Sequence, residues 1–99
     1  MLKLIDGKLR LLSIQQGRID SWNLGSDNTE LVGRFSQPHR DEIAIRSPEW
    51  LGLLSWDARI SKLRLARIQH DWVDGWNLGA SDWHEVGDFD GDGRDEIFI

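Results

Sequence analysis

The 99-residue sequence predicts an all-β fold, and two observations support this fold class. Apolar and polar residues alternate along short runs such as KLRLARI at 62–68, which is the periodicity of a half-buried strand. In addition, residues 8–45 realign on residues 62–99 without a gap, and 19 of the 38 aligned residues are identical. No window has helical apolar spacing, because the period is two and Gly or Pro interrupts most stretches. One supersecondary unit is therefore expected to occur twice.

Four strands are predicted in each unit. The runs EIAI, WLGLLSW, KLRLARI and DWVDGWNL follow one another between residues 42 and 78, separated by turn signals such as SPE and DARIS. A unit of four antiparallel strands that recurs every roughly 40 to 50 residues is typical of a β-propeller blade. The sequence thus predicts two propeller repeats per chain, at about 1–45 and 46–99, with one complete blade at roughly 42–78 and a second blade that is cut.

The cut blade is predicted to be split between the two ends of the chain. Aligning Asp6 with Asp57 places Leu2 on Leu53 and implies a three-residue insertion in the turn after Asp57. On this alignment the chain starts on a second strand and ends on a first strand. We expect the C-terminal strand of one chain to complete the N-terminal blade of a neighbouring chain.

A head-to-tail homo-oligomer follows from this division of the blade. Two blades cannot close a ring and leave sheet edges open, whereas association that continues until the rotation closes removes those edges. The expected ring has an even number of blades, so that a trimer gives six and a tetramer gives eight. The alternative is an excised pair of blades that folds as a monomer, which light scattering distinguishes from a ring.

A metal site is predicted in the acidic stretch near the C-terminus. Asp88, Asp90 and Asp92 alternate around glycines, a spacing that projects carboxylates toward one centre. The backbone carbonyl of Arg94 and the carboxylate of Glu96 would complete a shell of oxygen ligands suited to Ca²⁺. An EF-hand does not fit, because that motif needs a Glu at loop position twelve and helices on both sides.

The run GDFDGDGRDEIFI at 87–99 resembles the calcium-binding loop of FG-GAP or VCBS-type repeats, the blades of integrin-α-like propellers. Glu96 stands where that motif more often has Asp. The resemblance implies one structural Ca²⁺ per chain, in a loop joining the last strand of one blade to the first of the next. It places the partner-binding surface elsewhere on the disc. It also implies an extracellular origin, although the sequence starts with no signal-peptide pattern.

The equivalent loop of the first unit lacks the aspartates. It carries Arg34, Ser36 and Pro38 in their places, so we expect no calcium there. The sequence RDE that follows is retained in both copies. We therefore expect Arg34 to replace the ion, with its guanidinium paired to the carboxylate of Glu42.

A glycan site is an alternative to a purely structural role for the tryptophans. Sugar faces stack on aromatic rings and sugar hydroxyls bond to neighbouring polar groups. The candidate ligand-binding residues are Trp72, Trp83, Asp82 and His84. The competing interpretation is that these tryptophans pack in the core with partial exposure.

Composition excludes several other classes of function. The net charge is −5 and the Lys and Arg residues are scattered, so nucleic acid is not an expected partner. No apolar run approaches the roughly 18 residues of a membrane span, and the absence of cysteine excludes thiolate sites. No nucleophile elbow, phosphate loop or Ser-His-Asp set can be assembled, so an enzyme is not predicted.

The sequence therefore predicts a calcium-binding β-propeller module that assembles head to tail into a closed ring for recognition or scaffolding. One alternative is a multivalent lectin whose Trp-lined pockets repeat around the ring and bind glycans. Another is a propeller fragment of engineered or ancestral type whose only function is assembly. A protein ligand is also compatible with the sequence.

Overall fold

The computed structural model describes residues 1–11, 14–25, 27–70, 72–73, 76–77 and 85–98, with side chains except at 72–73, 76–77 and 98. Over these ranges the predicted all-β class is confirmed, since twelve strands and no helix are present. No described segment forms a helix with the length and hydropathy needed to span a membrane.

The strands are short and follow one another closely along the chain. In chain order, β1 to β12 comprise Leu2–Ile5, Lys8–Leu11, Arg18–Ile19, Trp22–Asn23, Thr29–Gly33, Glu42–Arg46, Trp50–Asp57, Lys62–His70, Trp72–Val73, Trp76–Asn77, Glu85–Gly87 and Glu96–Phe98. Within the described ranges these strands form four two-stranded sheets and one four-stranded sheet.

The largest sheet has the strand order β5, β6, β7, β8, and each strand is antiparallel to its neighbours. The strands in this sheet are not the four that the sequence predicts, which run from EIAI to DWVDGWNL. The sheet begins one strand earlier, at Thr29–Gly33, and β9 and β10 pair with each other instead of joining it. The adjacent Leu31 and Val32 break the apolar-polar alternation of β5, so its sequence carries no strand signal.

The two units use the same strand registers. In β11 and β12, Gly87 lies opposite Glu96, just as Gly33 lies opposite Glu42 in β5 and β6. These pairs are related by the repeat offset of 54 residues. The internal repeat is therefore a repeat of hydrogen-bonded structure as well as of sequence.

The β1–β2 hairpin in the same way repeats the register of β7 and β8. Leu2 lies opposite Leu11, and Leu54 lies opposite Leu65, the repeat equivalent of Leu11. Leu2 therefore corresponds to Leu54, and the predicted match of Leu2 with Leu53 is wrong. The turns of the two hairpins differ by two residues instead of three.

The shapes of these turns explain the difference. β1 and β2 are joined by Asp6 and Gly7, both at positive φ (52° and 76°), as a two-residue type I′ hairpin requires. β7 and β8 are joined by the longer segment 58–61, and Asp57 still pairs with Lys62. Asp6 is thus a turn residue and Asp57 a strand residue, so aligning the two aspartates shifts β1 by one position.

The described core lies between the β3–β4 hairpin and the four-stranded sheet. Its buried side chains are Ile19, Trp22, Ile45 and Leu54. Gly52 on β7 allows the indole ring of Trp22 to lie close to the strand, because a Cβ at Gly52 would lie 2.9 Å from Cζ3 of that ring. The hairpin therefore covers one face of the sheet.

Two polar side chains tie the segment around β3 to β8. The amide of Gln15 accepts a hydrogen bond from the Leu63 N–H at 2.7 Å and donates one to the Leu63 carbonyl at 3.0 Å. The carboxylate of Asp20 accepts from Nε of Arg64 at 2.9 Å and from the Leu65 N–H at 2.8 Å. The Arg64 hydrogen bond, followed by that from Leu65, holds the pKa of Asp20 below its usual value. Side chains thus satisfy backbone groups of β8.

The β1–β2 hairpin, in contrast, presents apolar side chains to solvent. Leu2 is 62% exposed, whereas its equivalent Leu54 is 2% exposed. Leu4, Leu9 and Leu11 are exposed to a similar extent. These four leucines occupy facing positions of the hairpin, Leu2 opposite Leu11 and Leu4 opposite Leu9, and together form one exposed apolar surface.

Candidate metal site

The acidic loop connects β11 to β12, which pair with each other as antiparallel strands. The pair formed by Gly87 and Glu96 closes the base of the loop. The loop therefore lies between neighbouring strands of one sheet. The expectation that it joins the last strand of one blade to the first strand of the next is wrong, because local antiparallel pairing of the flanking strands makes it a hairpin loop.

Four carboxylates converge in this loop. One oxygen from each of Asp88, Asp90, Asp92 and Glu96 lies within 4.8 Å of the others. The three aspartates are exposed and Glu96 is half-buried. All four belong to the predicted ligand set, so the alternate spacing in the sequence does bring their oxygens together.

Hydrogen bonds within the loop explain its local fold. Oδ1 and Oδ2 of Asp88 accept from the N–H groups of Asp92 at 3.0 Å and Gly93 at 2.9 Å, and Asp90 accepts from the Asp92 N–H at 3.1 Å. Gly91 and Gly93 adopt positive φ values of 76° and 88°, which residues with a Cβ rarely adopt. The aspartates therefore both form the turn and face its centre.

Glu96 fixes the loop from the strand side. Its Oε1 accepts hydrogen bonds from the N–H groups of Phe89 at 3.0 Å and Asp90 at 3.1 Å. Glu96, the first residue of β12, thus binds two consecutive backbone N–H groups at the start of the loop. This arrangement orients the Glu96 carboxylate toward the aspartates.

Arg94 contacts the cluster through its side chain. Asp92 accepts from the Arg94 N–H at 2.8 Å and from its Nη2 at 3.1 Å. The backbone hydrogen bond first, and the side-chain hydrogen bond second, lower the pKa of Asp92. The carboxylate is therefore ionised well below neutral pH, as a cation ligand must be, and the guanidinium competes with a metal ion for one of its oxygens.

The equivalent loop between β5 and β6 contains a different ion pair from the predicted one. The Arg34 guanidinium contacts Oδ1 of Asp41 at 3.2 Å and the carbonyl oxygen of Pro38 at 3.4 Å, so its predicted pairing with Glu42 is wrong. Glu42 is only 3% exposed, and its oxygens accept hydrogen bonds from the loop backbone and Ser36. The exposed guanidinium therefore pairs with the exposed carboxylate beside Glu42.

Glu42 and Glu96 have the same structural role in the two loops. Oε1 of Glu42 accepts from the N–H groups of Phe35 at 2.9 Å and Ser36 at 2.7 Å, which are the repeat equivalents of the donors to Glu96. The alternating carboxylates predict Glu96 only as a metal ligand and do not indicate this shared role. The signal that could have indicated it is the retention of RDE in a loop that has lost its aspartates.

The two loops also contact each other. The Arg34 N–H donates to Oδ2 of Asp95 at 2.7 Å, and the Asp95 N–H donates to the carbonyl of Arg34 at 2.6 Å. A Cβ at Gly33 would lie 3.0 Å from the same Asp95 oxygen, and one at Gly93 would lie 3.4 Å from Cβ of Pro38. The positions of the two loops are therefore linked.

The predicted glycan site lies almost entirely outside the described residues. Asp82, Trp83 and His84 fall in the undescribed segment, and Trp72 is described only as backbone of β9. The glycan-binding hypothesis stays a prediction. Elsewhere, the rings of Trp50 and His70 lie on the β7–β8 pair with their centroids 4.5 Å apart.

No family model, curated protein or solved structure matches the chain. The class of protein is therefore defined by the fold and the loop. It is an all-β protein with an internal repeat and an acidic cluster compatible with metal binding.

Proposed function

We propose that this protein is a calcium-binding β-propeller module of the FG-GAP/VCBS type, in which the ion holds the β11–β12 loop. The observation that carries the proposal is the cluster of four carboxylate oxygens within 4.8 Å of one another. Ca²⁺ binds oxygen at about 2.3–2.6 Å, so ligands on opposite sides of the ion lie up to about 5.2 Å apart. The cluster therefore has the dimensions of a calcium shell.

The donor set favours calcium over other biological cations. Carboxylates alone make up the cluster, which contains neither His nor Cys, the ligands that zinc and copper prefer. Mg²⁺ requires near-ideal octahedral geometry and keeps several waters, which four carboxylates on one short loop do not favour. Bound calcium would neutralise negative charge in this loop, where Arg94 already pairs with the Asp92 carboxylate.

A structural role for the ion fits the chemistry of the loop better than a catalytic role. The carboxylates fold the loop through hydrogen bonds to its own backbone, as those of Asp88 and Glu96 do. A shell filled by protein oxygens leaves no open position for substrate. We therefore propose recognition or scaffolding as the function, with the calcium loop as a structural element.

The four-stranded sheet supports the propeller part of the proposal. Four consecutive antiparallel strands, β5 to β8, have the strand count and order of one blade. Two of the four other strand pairs among the described residues, β11–β12 and β1–β2, repeat the registers of its two halves. We propose that two such halves from neighbouring copies form the second blade, and that three or four copies close a ring of six or eight blades.

Calorimetric titration of calcium into EDTA-treated protein tests the metal site. We expect one ion per chain, with Asp90→Asn weakening the affinity at least tenfold. The matched control is Asp41→Asn in the metal-free loop, which should leave the affinity unchanged. Absence of saturable binding at millimolar calcium, or equal affinity of Asp90→Asn and the wild type, would refute the calcium proposal.

Light scattering of the same samples tests the ring. A mass of three or four chains, independent of protein concentration in the micromolar range, is expected in calcium. A monomer in both calcium and EDTA would rule out the ring while leaving the calcium result unaffected.

A further inference from the structure

We propose that β12 of one copy pairs antiparallel with β1 of a second copy, with Ile97 directly opposite Leu2. The inference rests on the proposed ring assembly and specifies the interface that forms it. It follows from a template inside the chain, because the equivalents of Ile97 and Leu2 already lie opposite each other there.

The template is the pairing of β6 with β7. In that pair Ile43 lies opposite Leu54. Ile97 is the equivalent of Ile43 at the repeat offset of 54, and the strand containing it has the same register to β11 as β6 has to β5. The first half of the interface therefore has the same backbone arrangement as β6.

The second half is identified by the hairpin registers. Leu2 and Leu54 lie opposite equivalent residues of β2 and β8, as described above. Leu2 thus takes the place of Leu54 when a complete sheet is assembled. A register based on the aligned aspartates would instead bring Lys3 opposite Ile97, which would put a lysine at a position equivalent to the buried Leu54.

Leu2 and Ile97 are more exposed than Leu54, which is buried in the sheet where β6 pairs with β7. This difference supports a similar pairing for Leu2 and Ile97 in the assembled protein. Leu2 is 62% and Ile97 is 37% exposed, whereas Leu54 is 2% exposed within its four-stranded sheet. Among the described residues, β1 pairs only with β2, and β12 only with β11. Leu2 and Ile97 therefore lie on strand edges, and the template places their equivalents opposite each other, so a second copy of this chain is the partner that fits.

Disulfide trapping tests this register, because the chain contains no cysteine. Leu2→Cys and Ile97→Cys are prepared separately, unfolded, mixed and refolded together, and then oxidised mildly. We expect a disulfide-linked dimer at least ten times more abundant than in either single variant alone. Since each variant carries one thiol, a mixed disulfide can form only between chains.

Lys3→Cys mixed with Ile97→Cys is the matched control. Neighbouring residues of a strand point to opposite faces, so this pair should cross-link no more than the single variants. Equal yields for the two mixtures, or a higher yield with Lys3→Cys, would overturn the proposed register even if the protein is oligomeric. Calcium affinity and circular dichroism of each variant confirm that it has folded.

Amide hydrogen exchange on the unmodified chain provides a second measurement that needs no variant. We expect the β1 amides to be protected at high protein concentration and to lose protection at least tenfold on dilution below the assembly range, while β7 keeps its protection. Equal protection of β1 at both concentrations overturns the interface. The cross-linking and the exchange are run in calcium and in EDTA, so that a failed metal site is distinguished from a failed interface.

Discussion

A substitution at Glu42 tests whether the loop glutamates stabilise the protein independently of metal binding. Glu42 occupies the position of Glu96 in a loop without aspartates. Glu42 is 3% exposed, and its carboxylate accepts hydrogen bonds from the N–H groups of Phe35 and Ser36 and from the Ser36 hydroxyl. Glu42→Ala removes all three acceptor contacts at once.

The cost of this substitution can be estimated from those contacts. Hydrogen bonds to a charged group contribute about 1.5–3 kcal/mol each, and a donor left buried without a partner costs about 1–3 kcal/mol. Ser36 is exposed, so water replaces part of what it loses, whereas Phe35 is half-buried. We expect Glu42→Ala to lower the free energy of unfolding by about 2–4 kcal/mol.

Urea unfolding in calcium and in EDTA, at one fixed protein concentration, measures the effect. Glu42→Ala should lose the same stability in both conditions, and calcium should still stabilise it. Glu96→Ala, whose backbone donors are exposed, should lose about 1 kcal/mol in EDTA and also lose the stabilisation by calcium. Asp41→Ala is the matched control, because its ion pair with Arg34 is exposed and contributes at most about 1 kcal/mol.

Two results would refute this reasoning. A Glu42→Ala protein within about 0.5 kcal/mol of wild type would show that the loop does not depend on its glutamate. A Glu42→Ala protein that no longer responds to calcium, although folded, would place Glu42 in the metal site, contrary to the geometry of the two loops.

Three further predictions concern other parts of the molecule. Arg94→Gln should raise calcium affinity by up to about fivefold in calorimetry, because it frees an oxygen of Asp92, and a weaker affinity would show that the guanidinium assists the site. Gly52→Ala should cost about 1–3 kcal/mol in urea unfolding, since the new methyl would collide with the ring of Trp22, and an unchanged midpoint would contradict the packing. The lowered pKa of Asp20 stabilises the fold above its unfolded-state value, and the effect disappears as pH falls through the lower folded value. Asp20→Asn should accordingly be less stable than wild type at pH 7, and the difference should shrink as the pH falls below the ordinary pKa of an aspartate, whereas a constant difference would argue against the ionic contribution.

The sequence predicts those strands whose apolar residues alternate, and it predicts the repeat. KLRLARI is a strand in the structure because its leucines face one side of the sheet, and this period is visible locally. The local sequence does not predict how the strands group into sheets. This grouping depends on backbone hydrogen bonds between segments that a loop separates in sequence. Thr29–Gly33 therefore joins the large sheet without a sequence signal, because the hairpin to β6 supplies its hydrogen-bond partner.

In the candidate site, too, one feature can be predicted from the sequence and another cannot. The convergence of Asp88, Asp90 and Asp92 is predictable, because their spacing within one loop decides it. The sequence does not predict the partner of Arg34, because Asp41 and Glu42 are neighbours in sequence and both are acidic. Burial of Glu42 against backbone donors decides between them, and burial is a property of the folded sheet.

The contact between the two loops bears on how a duplicated segment can diverge. Arg34 meets Asp95 through its backbone N–H and carbonyl, and Arg34 occupies the repeat position of Asp88. A contact made by the main chain is insensitive to which side chain the position carries. After duplication, one copy could therefore exchange an acidic side chain for a basic one without losing its attachment to the other. The two loops now differ in charge, one carrying four carboxylates and the other an arginine paired within its own loop, while this attachment is present.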